Sequence, residues 1–139
     1  MLKNNAVSKD VAIDELEVLI NKFVKKPVSK DKLEETYPDI LESIIDGLLT
    51  FNEEGIPVFK LKELIKNADG EVSVSEINFR TRIKPTTLAD LASGLHPQNE
   101  AFKLQLRMVS YIIDQPIAML DKFGRYDYDV INQVAAVFS

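Results

Sequence analysis

The sequence predicts an α+β protein, a mostly helical single domain with a small two- or three-stranded antiparallel sheet in the middle of the chain. Three observations point there. Apolar residues recur at helical spacing over residues 10–50 and again over 87–138. Between them, residues 56–83 alternate apolar with polar residues and are punctuated by glycine-bearing turns. Finally, 139 residues of which 45% are hydrophobic and 28% charged suit one globular domain, which on folding removes roughly two-thirds of its unfolded surface from water.

A polar leader, expected to be flexible over about residues 1–8, precedes the first helix. In DVAIDELEVLINKFVKK, Ile13, Leu16, Ile20 and Phe23 form an apolar stripe that Leu19 and Val24 widen. Acids cluster at its start and lysines at its end, the order favoured by the helix dipole. Pro27 stops it. Ser29 is placed to cap a short turn through KDKLEET. Pro38 then suits the first position of a second helix, where its missing donor is harmless. That helix, PDILESIIDGLLTF, has a broad apolar face from Ile40 to Leu49, with Gly47 weakening its last turn.

The middle of the chain reads as strands. Gly55 ends the turn NEEG at a position that needs positive φ. IPVFKLK follows, with Pro57 restricting it to an edge or a start. Asp69-Gly70 is the strongest hairpin signal in the chain. Beyond it the apolar positions change parity between Val74 and Ile77, which calls for a bulge or a break near Ser75 and Glu76. INFRTRI completes the sheet by alternating Ile77, Phe79 and Ile83 with Asn78, Arg80 and Arg82.

The rest reads as helix. Thr87 is placed to cap LADLASG, with Asp90 three residues on, and Gly94 supplies a stop. NEAFKLQLRMVSYIID is apolar on more than one side and is the candidate for the central helix. Pro116 ends it, PIAMLDKF adds a short piece, and Asp127 is placed to cap a last helix carrying Val130, Val134 and Val137.

Composition excludes several chemistries. The absence of cysteine rules out disulfides, thiolate zinc sites and a cysteine nucleophile. A single histidine, His96, rules out a histidine triad or a two-histidine metal site within one chain. Glu53 with Glu54 and Asp127 with Asp129 are the carboxylate pairs to test for acid–base work. Turn solvation accounts for the first pair and helix capping for the second, and no nucleophile accompanies either. No cofactor motif is present. A net charge of −5 offers no basic face for nucleic acid, and no apolar run is long enough to span a membrane. A helix-turn-helix reading of residues 86–109 fits poorly. Ala89 and Gly94 are five apart rather than four, Pro97 sits in the turn, and Glu100 opens the would-be reading helix.

The succession YPDILESIIDGLL, GIPVFKLK, INFRTRIKPTTLADL and LQLRMVSYIIDQPIAMLDKFGRYDYDVINQVAAVF resembles the tail assembly chaperones of long-tailed bacteriophages and prophages. The likeness covers residues 37–138, and the segment to about Thr36 adds little. It implies a non-enzymatic protein that binds the long, aggregation-prone tape measure protein and keeps it soluble while tail tube subunits polymerise around it. It further implies a chain that acts in the cytoplasm of the bacterial host and is absent from the finished virion; members of that family are often made in two forms, the longer by ribosomal frameshifting, and this sequence would correspond to the short form. The tail tube protein and a second copy of the chain are further candidate partners. Competing readings are a structural tail or baseplate protein or other interaction module, and a DNA-binding regulator. The expected client face comprises whichever of Phe102, Leu106, Val109, Ile113, Val130, Val134 and Val137 are exposed. Arg80 and Arg82 are candidates for an acidic partner.

Overall fold

Serine at residue 8 starts the first helix: its Oγ accepts the Val11 N–H at 3.3 Å, one of the donors that a helix start leaves without an internal partner. In the computed structural model, which describes residues 7–139, that helix is α1, Lys9–Phe23. Six of the eight leader residues therefore lie outside the described part. The other two are engaged, Ser8 as the cap and Val7 through a backbone bond to the Ile45 carbonyl.

A 3₁₀ turn, Lys30–Lys32, leads into the single turn α2, Leu33–Thr36, and then α3, Pro38–Ile45. The sequence reading carried this helix on to Phe51, but Gly47 ends it. At φ 76° it donates to the Ile44 carbonyl while the Leu48 N–H reaches the Ser43 carbonyl. This pair of bonds closes a helix through a left-handed residue that only glycine adopts cheaply. Leu49–Phe51 is thereby released to form a strand, β1.

Strands β2, Pro57–Lys66, and β3, Val72–Asn78, complete an antiparallel sheet in the order β1-β2-β3. Phe59 is opposite Leu49 on one side and Ile77 on the other. Both hairpin turns are built alike. In Asn52–Ile56 and again in Asn67–Glu71, the asparagine Oδ1 accepts two backbone N–H groups at 2.9–3.0 Å. The glycine in fourth place is left-handed, at 77° for Gly55 and 82° for Gly70. Asp69 itself does not take positive φ, so the Asp-Gly pair is not the two-residue turn its sequence suggests.

The predicted bulge exists, opposite the predicted place. Lys60 pairs with Glu76 and Ile65 with Val74, so residues 61–64 of β2 face Ser75 alone. The extra residues are in β2, and Ser75 marks where β3 passes them. A second correction concerns INFRTRI. Strand β3 ends at Asn78 because the Arg80 N–H turns to the Ile112 carbonyl, 2.7 Å away, instead of to a neighbouring strand.

The remaining helices are α4, Pro85–Ala92; α5, Ala101–Ile113; α6, Ile117–Leu120; and α7, Arg125–Phe138. Thr87 does not cap α4, which begins two residues earlier with Pro85 at its first position. Nor does Asp127 cap α7, whose preceding residue is Gly124. The central helix is α7 and not α5. It packs against α1, α3, α5 and β2, and Val130, Ile131, Val134, Ala135, Val137 and Phe138 are all buried. Phe138 meets Phe23 edge-on at 4.8 Å and Phe79 at 6.3 Å, joining the first helix to the segment after the sheet. One continuous core results.

Two polar side chains of α7 secure its neighbours. Gln133 Oε1 accepts the Ile40 N–H at 2.8 Å, capping the start of α3 from 93 residues away. The Asp127 carboxylate, fully buried, accepts the N–H of Lys62 at 2.8 Å with one oxygen and that of Glu63 at 2.9 Å with the other. These are the donors the bulge removes from the ladder. Beside them, Tyr126 donates to Asp46 Oδ2 at 2.7 Å and carries the Lys62 ammonium over its ring at 4.4 Å. Burial, then the bond to Asp46, pushes its hydroxyl far above the usual tyrosine range.

Candidate partner-binding surface

An apolar surface that the core leaves uncovered lies at the start of α5. Only Val109, Ile112 and Ile113, all in its C-terminal half, are buried. The first turns carry Phe102, which is 66% exposed, and Leu106, half-buried against the core. Both side chains line an open trough of about 420 Å³ whose other wall comes from α6, the connection after it and the start of α7, namely Leu120, Phe123 and Tyr128, with Asp121 and Arg125 beside them. The floor is fixed, since Leu120 and Phe123 belong to the core. Phe102 is on the rim.

Exposed apolar groups continue from there. Helix α4 buries no residue and packs on α5; its Leu88 is 38% exposed. It is tied down by Arg107 of α5, whose Nη1 donates to the carbonyls of Leu91 at 2.8 Å and Ser93 at 3.0 Å. That places a cation on the last carbonyls of α4, where the helix dipole favours it. Ile117, 44% exposed, lines a second, more open hollow of about 350 Å³ with Arg80, Leu91, Arg107 and Tyr111.

The loop between α4 and α5 is held by its own residues. The His96 N–H donates to Glu100 Oε1 at 2.9 Å, and His96 Nδ1 accepts from the backbone N–H groups of Gln98 and Asn99. Glu100 also pairs with Lys103 at 2.9 Å. The His96 backbone bond, followed by Lys103, holds the Glu100 carboxyl below the usual glutamate range. This is a structural use of His96, and it explains how eight residues between two helices keep one shape.

The expected client face is thus divided. Val109, Ile113, Val130, Val134 and Val137 are buried and form the core, because the helix that carries three of them is the one the others surround. Phe102 is exposed and Leu106 partly so. Of the two arginines, Arg82 is exposed, whereas Arg80 is engaged within the fold. Its Nη1 donates to the Tyr111 carbonyl at 2.7 Å, its Nη2 pairs with Asp114 at 3.0 Å, and its guanidinium stacks on the Tyr111 ring at 4.2 Å. With its own N–H on the Ile112 carbonyl, Arg80 caps the end of α5, where Asp114 takes up the left-handed conformation at φ 54°. Replacing Arg80 with alanine is therefore expected to lower the unfolding free energy by about 1–2 kcal/mol. Urea denaturation measures this, and an unchanged midpoint would show that solvent replaces the cap at no cost.

The carboxylate pairs also separate. Glu53 and Glu54 are exposed in their turn, and Asp127 faces the β2 backbone while Asp129 sits 3.9 Å from Arg125. Among the described residues no group of three or more histidine, aspartate and glutamate side chains is placed to hold a metal ion. No helix among them is long and apolar enough to cross a membrane. The trough residues Leu120, Phe123 and Tyr128 were not singled out by spacing. The only signal was PIAMLDKF, an apolar run after a proline and too short to bury all of its side chains. Compared with known proteins, the chain matches no family model, no curated protein and no solved structure.

Proposed function

We propose that the chain is a non-enzymatic tail assembly chaperone that binds a phage tape measure protein and keeps it soluble while the tail tube forms. The observation that carries this reading is the trough between α5, α6 and α7, with the exposed Phe102 on its rim. A helical client presenting apolar residues at i, i+3, i+4 and i+7 docks in such a trough by burying its stripe against Leu106, Leu120 and Phe123. An exposed aromatic that an occupant of the trough would bury is of the residue class enriched where binding energy concentrates. The segments that build the trough are also those in which the resemblance to tail assembly chaperones is strongest. The chaperone acts in the cytoplasm of the bacterial host and leaves before the virion is finished, with the tail tube protein as a further candidate partner.

Co-expression with the tape measure protein encoded beside it provides the test. The chain is expected to raise the soluble yield of that protein and to co-purify with it. Phe102→Asp, which changes an exposed position, is expected to abolish both while leaving the circular dichroism spectrum and the unfolding midpoint as they were. No co-purification with the wild-type chain, or full activity of the aspartate variant, would overturn the reading. Recovery of the chain in purified particles would instead favour a structural tail component.

A further inference from the structure

We propose that the free edge of β3 pairs with the same edge of a second copy of the chain, antiparallel about a two-fold axis, joining two three-stranded sheets into one of six strands. The proposal rests on the sheet alone and is independent of what the trough binds.

Strand β3 is the last in the sheet order, so among the described residues its outer edge meets no other strand. The direction of its backbone groups follows from one bond. The Lys60 N–H goes to the Leu48 carbonyl, so the polar groups of Lys60 face β1. In an antiparallel ladder successive residues alternate sides, so those of Phe59 face β3. Its partner Ile77 faces back, and the N–H and C=O groups of Glu76 and Asn78 point outward from the sheet.

An exposed edge of this kind is normally blunted by shortness, proline or lysine. The opposite edge strand β1 has three residues. Strand β3 has seven, VSVSEIN, with no proline and no basic residue, and Val72 is 48% exposed. Arg80 and Arg82, which alternate as part of a strand in the sequence, lie beyond its end.

Charge selects the occupant. At the entry to β3 stand Asp69 and Glu71, and past its exit stand Arg82 and Lys84, all exposed, while the charge of Arg80 is already met by Asp114. Antiparallel pairing with a second copy sets the acidic entry of each strand beside the basic exit of the other, twice by symmetry. Parallel addition would bring like charges together at both ends. A second copy therefore supplies both halves of the complement.

Sedimentation equilibrium on the full chain is expected to show a monomer–dimer equilibrium that added salt shifts towards monomer. Glu71→Lys and Arg82→Glu, each at an exposed position, should weaken the dimer about tenfold because each replaces two attractions with two repulsions. The double variant should restore it. Hydrogen exchange of the Glu76 and Asn78 amides should slow as concentration rises. A chain that stays monomeric, a dimer indifferent to both single reversals, a double variant that fails to dimerise, or amide exchange independent of concentration would each overturn the proposal. So would loss of the dimer with Phe102→Asp, which would place the interface at the trough.

Discussion

Asp127→Ala is expected to lower the unfolding free energy by about 2–4 kcal/mol, a large share of what a domain of this size has. The carboxylate is buried and each oxygen accepts one N–H, from Lys62 and from Glu63. Both donors belong to the stretch of β2 that faces a single residue of β3, so the ladder has no other acceptor for them. Hydrogen bonds to a charged acceptor contribute about 1.5–3 kcal/mol each, and a buried donor left without a partner costs its desolvation. Asp127→Asn should fall between wild type and alanine, because the amide keeps one oxygen and turns an NH₂ group towards the other N–H. Guanidinium denaturation with an unchanged m-value would record the loss as a shift of midpoint. A change below about 0.5 kcal/mol, the range of neutral surface substitutions, would mean that solvent reaches the bulge and supplies the acceptors.

Phe59→Ala should cost about 3–5 kcal/mol, the range for deleting a fully buried aromatic ring. Phe59 is 0% exposed and stands in the middle strand, with Leu49 at 1% and Ile77 at 1% opposite it on either side. Loss of the ring opens a cavity under all three strands, and the neighbours on each side are pinned by ladder bonds that limit collapse. Phe59→Leu, which keeps much of the volume, should cost less than half as much. Thermal unfolding of the three proteins at equal concentration would check the order. Equal midpoints for the alanine and leucine variants would show that the sheet relaxes into the gap.

Local patterns made most of the fold legible. The apolar stripes of α1 and α7 declare themselves by spacing, and the parity change between Val74 and Ile77 correctly announced an irregularity in the sheet. Where the expectation failed, the deciding partner was distant in the chain. Leu48, Leu49 and Phe51 continue a helical spacing, and only the left-handed Gly47 separates them from α3. Arg80 and Arg82 alternate as a strand should, yet the Arg80 N–H is taken by Ile112, 32 positions on. Asp127 looks like a cap from its own neighbourhood, and its burial is set by β2, 64 and 65 residues earlier. One further signal is local. Asn52 and Gly55 have the same spacing as Asn67 and Gly70, and the two turns they make are alike. For the binding surface, spacing identified Phe102 and Leu106 but could not separate them from Val109 and Ile113 on the same helix. Which end of that helix meets the core depends on where α7 lies, and only the assembled structure decides it.

The reach of α7 has a kinetic side. A chain made mostly of helices is expected to fold fast because its contacts are local. Here Gln133 caps a helix 93 residues earlier, Asp127 closes a strand more than 60 residues earlier, and Phe138 seats against Phe23. Each of these requires a long loop to close before any burial rewards it. The individual helices are too short to persist alone in water, so the ordering of the sheet, the start of α3 and the last helix belongs to one late event. The folding speed of the domain is accordingly that of its topology, a mixed α/β protein with distant contacts, rather than that of its helix content.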